Sequence, residues 1–132
     1  MAPDVKGIGH CLCGDVRFSF TGRPKWVLHC HCESCRRATA SPMTTFVSVP
    51  DAALAWLGEP VCYASSPGVE RGFCGRCGSP VFYRHDAKPD ETHLYAALLD
   101  DPGAVTPEGH DFVDERVAWM HPLPDPQPKD AT

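Results

Sequence analysis

The chain has 132 residues, a formal net charge of −5 and eight cysteines, which is enough sequence for one modest hydrophobic core but not for two. Seventeen acidic residues outnumber twelve basic ones, with no long basic run, and this excludes a phosphate-backbone binder. The longest apolar stretches, such as 94–99, fall far short of the roughly 20 residues a membrane span requires, and 1–9 lacks an apolar leader segment, so the expectation is a cytoplasmic protein with neither nucleic acid nor membrane as partner.

Residues 1–8 read as an N-terminal extension and 9–120 as the domain. Fourteen prolines and eleven glycines discourage long helices. The alternation over 15–20 places Val16, Phe18 and Phe20 on one face of a half-buried strand. Further strands are predicted over 26–28, 44–49, 61–64, 81–83 and 93–98, and the helical candidates are a turn after Glu33 and residues 52–56. The fold class is therefore mainly β, a small sheet assembly held by metal. From His121 the prolines Pro122, Pro124, Pro126 and Pro128 favour polyproline II, so 121–132 reads as a Pro-rich mobile tail.

Seven of the eight cysteines fall into three clusters: Cys11 with Cys13, then Cys30, Cys32 and Cys35, then Cys74 with Cys77. In a reducing compartment such close spacing marks metal ligands rather than disulfides. In extended chain, residues i and i+2 lie roughly 6.6 Å apart, whereas two sulfurs on one tetrahedral zinc must approach to about 4 Å. Each Cys-x-Cys must then sit on a bend, and Gly14 after Cys13 permits one. Cys74 to Gly78 is a knuckle in which backbone N–H groups can point at the sulfurs. Pairing Cys11 and Cys13 with Cys74 and Cys77 gives a closed four-thiolate structural site.

The central cluster has three sulfurs and no evident fourth ligand. Alternation puts His29 and His31 on the face opposite Cys30 and Cys32, where they support or pack rather than ligate. Three protein ligands leave one position open. A zinc with three thiolates is a weak Lewis acid, ill suited to making hydroxide and well suited to capturing an external thiol as thiolate. The alternative is a purely structural site completed by a histidine or a water. With seven thiolates and two zinc ions the holoprotein would carry a net charge of about −8.

The ordered motifs Gly9-x-Cys11-x-Cys13-Gly14-x-Val16-Arg17-Phe18, Cys30-His31-Cys32-x-x-Cys35-Arg36-Arg37 and Ser65-Ser66-Pro67-Gly68-x-x-Arg71-x-Phe73-Cys74-x-x-Cys77-Gly78-Ser79-Pro80 resemble the glutathione-dependent formaldehyde-activating enzyme family from about Gly9 to Trp119. The resemblance implies an Mss4-like β fold, a structural zinc on Cys11, Cys13, Cys74 and Cys77, and a catalytic zinc on Cys30, Cys32 and Cys35. It also implies a carbon–sulfur lyase that adds glutathione to formaldehyde to give S-hydroxymethylglutathione. Ala40 departs from the family, which often has Gly there, and the Pro-rich tail is a second departure. Neither touches a ligand.

Arg36 and Arg37 follow Cys35 and read either as a fork for glutathione carboxylates or as charge balance for the thiolates. Ser65 to Gly68 reads as an ordinary turn in preference to an anion nest, and Asp100, Asp101 and Pro102 as a turn rather than an acid pair. Cys62 reads as a buried spectator and Trp26, Trp56 and Trp119 as core, with Trp119 a candidate to line a cleft. His110 and His121 have no assigned role. Two further function classes stand beside the enzyme: a carrier of thiol or adduct, and a zinc-stapled interaction domain without turnover.

Overall fold

In the computed structural model, which describes residues 7–120, the alternating N-terminal segment pairs into a three-stranded antiparallel sheet. Strand β2 (Arg17–Phe20) lies between β1 (Gly7–His10) and β5 (Leu54–Leu57). Val16, Phe18 and Phe20 are buried as the alternation requires. In register, Gly9 faces Phe18 and Gly7 faces Phe20, and a Cβ at either glycine would come within 2.5 Å and 2.1 Å of those rings. The missing side chains on β1 are what let the two phenylalanines lie flat.

The second sheet has seven strands in the order β10 (His110–Asp111), β3 (Trp26–Cys30), β4 (Thr44–Pro50), β9 (Glu91–Tyr95), β8 (Pro80–His85), β7 (Val69–Phe73) and β6 (Val61–Ser66). Only the β10–β3 pair is parallel. Period-2 alternation divides the side chains of this sheet between its two faces, except at the β7–β8 register shift, where the consecutive Val81 and Phe82 both join the main core. Val27, Val47, Val49, Val81 and Leu94 join Phe18 and Phe20 in the main core. Opposite them, Cys30, Phe46 and Tyr95 form a smaller cluster with Cys35, flanked by Trp26 and Tyr83. That second face carries the candidate site.

Between β3 and β4 sits one short helix, α1 (Glu33–Thr39), capped by the Cys32 side chain, which accepts the Cys35 N–H. The helix ends on Ala40 in the left-handed region, φ 54° and ψ 38°, a conformation that glycine reaches without steric cost. This is the physical sense of a glycine at the position where the chain departs from the family it resembles.

The fold is mainly β, as expected, with corrections in detail. Residues 52–56 are not a helix: a single 3-10 turn (Asp51–Ala53) leads into β5. The run 93–98 divides into β9 and a 3-10 turn (Ala96–Leu98). β1 begins at Gly7, within the segment read as an extension. Cys62 is exposed rather than buried, because β6 is an edge strand whose six residues all face solvent. Trp119 is 70% exposed and belongs to no core. Residues 121–132, with His121 and the Pro-rich tail, lie outside the described residues. Among the described residues no helix is long and apolar enough to cross a membrane.

Candidate metal centres and the adjoining cavity

Cys11 and Cys13 sit on the bend after β1, and Cys74 and Cys77 on the knuckle between β7 and β8. Their four sulfurs lie within 4.8 Å of one another, with 3.7 Å from Cys11 to Cys13 and from Cys13 to Cys74. A tetrahedron of thiolates at about 2.3 Å from a zinc ion has edges of about 3.8 Å, so the donor set fits such an ion. The turns have the geometry the sequence requires, with Gly14 at φ 85° and Gly78 at φ 81°. Backbone N–H groups aim at the sulfurs: Val16 donates to Cys11 at 3.3 Å, and Arg76 and Cys77 donate to Cys74 at 3.4 Å. Hydrogen bonds from Ser79 hold the Cys77 thiol down at about 5. Because the two pairs come from different sheets, any ion held here ties one sheet to the other.

The second cluster is built where β3 runs into α1. Cys30 ends the strand, Cys32 caps the helix and Cys35 lies in its first turn, and the three sulfurs are likewise within 4.8 Å of one another. The other two thiols hydrogen-bond to Cys32, and the Ser34 hydroxyl and the Cys35 N–H add to them, so the Cys32 thiol is pushed strongly down. Among the described residues no histidine joins these sulfurs. His31 instead bonds His110 at 2.9 Å, His29 bonds the Thr45 hydroxyl at 2.7 Å, and all three rings are buried on the opposite face of the sheet, the packing role expected of His29 and His31.

The charge partner of this cluster is Arg71, on β7. The residue is 5% exposed, and its guanidinium points Nη1 and Nη2 at the Cys35 sulfur, 3.9 and 3.8 Å away. The same group bonds the hydroxyls of Ser65 and Ser34 and lies over the Tyr83 ring at 5.0 Å. Burial works against its charge and the neighbouring Cys35 sulfur more than offsets this, so it stays a cation. Arg71 stands 36 residues from Cys35, and nothing local in the sequence joins them.

The three sulfurs border a cavity of about 700 Å³, the size of an ordinary small-molecule site. Trp26, Leu28 and Phe46 form its apolar wall together with Tyr83 and His93, while Glu33, Arg37, Lys88, Asp111 and Glu115 are its charged residues. Arg37 lines the cavity and pairs with Glu33 at 2.8 Å. Arg36 is not among the lining residues, and its Nε is buried with no hydrogen-bond partner among the described residues. The Ser65 to Gly68 segment closes the β6–β7 hairpin as a turn, and Asp101 caps the Gly103 N–H in another.

Comparison with known proteins agrees with this arrangement. A family model described as glutathione-dependent formaldehyde-activating enzyme matches residues 6–115. An uncharacterized lyase of Schizosaccharomyces pombe is 25% identical over 108 residues, covering 82% of this chain and 79% of its own. The crystal structure of a Rhodobacter sphaeroides protein shares the fold, with a TM-score of 0.58 and 20% identity over 70% of this chain and 87% of its own. With the family match running from β1 to the last 3-10 turn and taking in all seven clustered cysteines, the chain belongs to the glutathione-dependent formaldehyde-activating enzyme family.

Proposed function

We propose that the protein is a zinc-dependent carbon–sulfur lyase that joins glutathione, or a related thiol, to formaldehyde or another small aldehyde to give the S-hydroxymethyl adduct. The observation that carries the reading is a three-sulfur cluster opening onto a cavity, beside a four-sulfur cluster that is wrapped in backbone N–H groups. Cys11, Cys13, Cys74 and Cys77 would hold a structural zinc, and Cys30, Cys32 and Cys35 a reactive one. When bound, the reactive zinc supplies the capture of an incoming sulfur as thiolate, which turns a poor nucleophile into a good one.

The chain's own residues do the rest. Arg71 offsets the negative charge of the crowded sulfurs from the side away from solvent. Arg37 and Lys88 line the cavity, and their cationic side chains would meet the carboxylates of the tripeptide. Trp26, Leu28 and Phe46 exclude water from the reacting atoms. Hemithioacetals form spontaneously, so holding the two reactants together accounts for much of the acceleration needed.

The test is zinc content with a thiol titration. The wild-type protein should hold about two zinc ions, and X-ray absorption should move towards all-sulfur coordination at about 2.3 Å when glutathione is added. Cys32→Ser should stay folded, hold about one zinc and lose thiol-dependent activity. An unchanged spectrum, with no heat of glutathione binding, would refute the reading. Binding without acceleration would make the protein a carrier instead.

A further inference from the structure

Glu91 and His93 lie two residues apart on β9, on the sheet face that forms the cavity wall. The Glu91 carboxylate is 7% exposed and accepts three hydrogen bonds: from Lys25 Nζ at 2.8 Å, the Ser48 hydroxyl at 2.9 Å and His93 Nε2 at 2.6 Å. An ionised carboxylate withdrawn from water is costly unless it is fully paired, and a core that needs only packing is served as well by apolar residues. Burial alone would raise its proton affinity, and the bonds from Lys25, His93 and Ser48 overcome this and hold it at about 2. An ionised carboxylate only accepts, so Nε2 carries the hydrogen, and in the neutral ring Nδ1 is the basic nitrogen. The ring is held edge-on to Trp26 at 4.6 Å and stacked on Tyr83 at 5.4 Å. It lines the same cavity as Cys30, Cys32 and Cys35.

We infer that the Glu91–His93 pair is the proton relay of this cavity, with His93 the general base and acid and Glu91 its positioning residue. The inference rests on the thiol–aldehyde reaction proposed above. His93 Nδ1 takes the proton of the thiol. The sulfur electron pair forms the S–C bond as the carbonyl π bond breaks, and the alkoxide recovers the proton from Nδ1–H. Every atom of thiol and aldehyde is kept in the adduct, and no electron leaves. Glu91 stays ionised and steadies the imidazolium while it exists. The other groups facing the ring are Lys25 from the approach to β3, Lys88 from the β8–β9 turn and Tyr83 from β8. The two lysines disfavour its protonation and Glu91 favours it, while burial lowers its proton affinity overall.

The test uses the zinc-loaded full chain with ¹³C-formaldehyde and glutathione, reading adduct exchange by NMR, glutathione binding by calorimetry and the His93 ring by ¹⁵N shifts. In the wild type the shifts should report the Nε2–H tautomer and should change when glutathione and aldehyde are both present. His93→Gln should keep zinc and glutathione affinity and lose on the order of 100-fold in exchange rate. Glu91→Gln should give a mixed tautomer and move the acid limb of the rate profile to lower pH. A His93→Gln protein with wild-type rate, or a Glu91→Gln protein with a wild-type pH profile, overturns the relay, and the second decides alone if the first does not fold. A wild type that neither binds glutathione nor accelerates exchange overturns the reaction itself and the relay with it, and is told apart by failing before any substitution is made.

Discussion

Arg71→Met should loosen one metal centre and spare the other. The guanidinium nitrogens lie 3.8 and 3.9 Å from the Cys35 sulfur in a buried setting. A unit charge pair at about 4 Å and an effective dielectric of 20 interacts by about 4 kcal/mol. Removing one partner of a buried pair costs a similar amount, about 3–5 kcal/mol, because the other charge is left uncompensated. Three thiolates around a dication carry net −1, and the cation beside Cys35 brings the ensemble to neutrality. In the metal-free protein the thiols regain protons and need that cation less. Most of the loss should therefore fall on the loaded state, and at about 1.4 kcal/mol per decade the affinity for the second zinc should drop by about 100- to 1000-fold. Arg71→Lys keeps the charge but not the two-pronged donation or the contact with Tyr83, and should fall between. Competition against a chromophoric chelator measures this directly, with the zinc held by Cys11, Cys13, Cys74 and Cys77 as internal reference. Equal affinity in wild type and Arg71→Met, or loss of both zinc ions together, would refute the reasoning.

Cys74→Ser should unfold or insolubilise the protein, since it opens the site that ties the sheets together and removes several kcal/mol of metal-linked folding energy; a soluble variant with an unchanged melting temperature contradicts that role. Ala40→Gly should stabilise by about 0.5–1 kcal/mol, because relief of a left-handed alanine, roughly 1–2 kcal/mol, exceeds the added chain entropy of glycine, roughly 0.5–1 kcal/mol; the urea midpoint reads it, and a lower midpoint would count against it. His29 is held neutral by burial and by His110 and His31, its pKa lowered to about 4. The unfolded chain takes up that proton first, so stability is full above pH 6.5 and about 2–3 kcal/mol is lost as the pH falls towards 4. His29→Gln at saturating zinc should flatten the dependence of the urea midpoint on pH across that window, and an unchanged slope would show that His29 is not its source.

The grouping of the sulfurs was legible because the spacing of candidate ligands is local: a bend at Gly14 and a knuckle closed by Gly78 are written within a few residues of the sulfurs they shape. The strand β2 was legible because Val16, Phe18 and Phe20 alternate without interruption. β1 was not, since its two glycines carry no hydrophobic signal and take their meaning from Phe18 and Phe20 across the hairpin. Cys62 misled for a related reason: apolar character does not say whether a strand lies in the middle of a sheet or at its edge, and Trp119 lies in an exposed turn after the last strand. Arg71 appears within a motif, yet its partners on α1 follow only from the fold that brings its side chain to Cys35 and Ser34. Glu91 and His93 show the same limit. A carboxylate and a histidine two apart are common on any strand, and only the register that sets Ser48 opposite His93 and Tyr83 beside it encloses the pair.

The two clusters and the shape of the fold answer one physical problem. The seven-stranded sheet gives one face to the core shared with β1, β2 and β5 and much of the other to a cavity of about 700 Å³. A chain of this size buries a limited fraction of its apolar surface even when both faces of a sheet are covered. A face kept open for ligand forgoes contacts that would otherwise stabilise β3, β4, β8 and β9, and small domains commonly make up such a deficit with a metal. The four-sulfur cluster stands where that help is most effective, between the hairpin that covers the core and the β7–β8 turn of the large sheet. It asks nothing of the cavity, because backbone N–H groups attend its sulfurs. The three-sulfur cluster is arranged the other way. It has a buried cation behind it and open space in front, and among the described residues no fourth cysteine, histidine or carboxylate joins it, so an ion held here would keep a position facing the cavity, where the nearby charge of Arg71 would favour a soft anion.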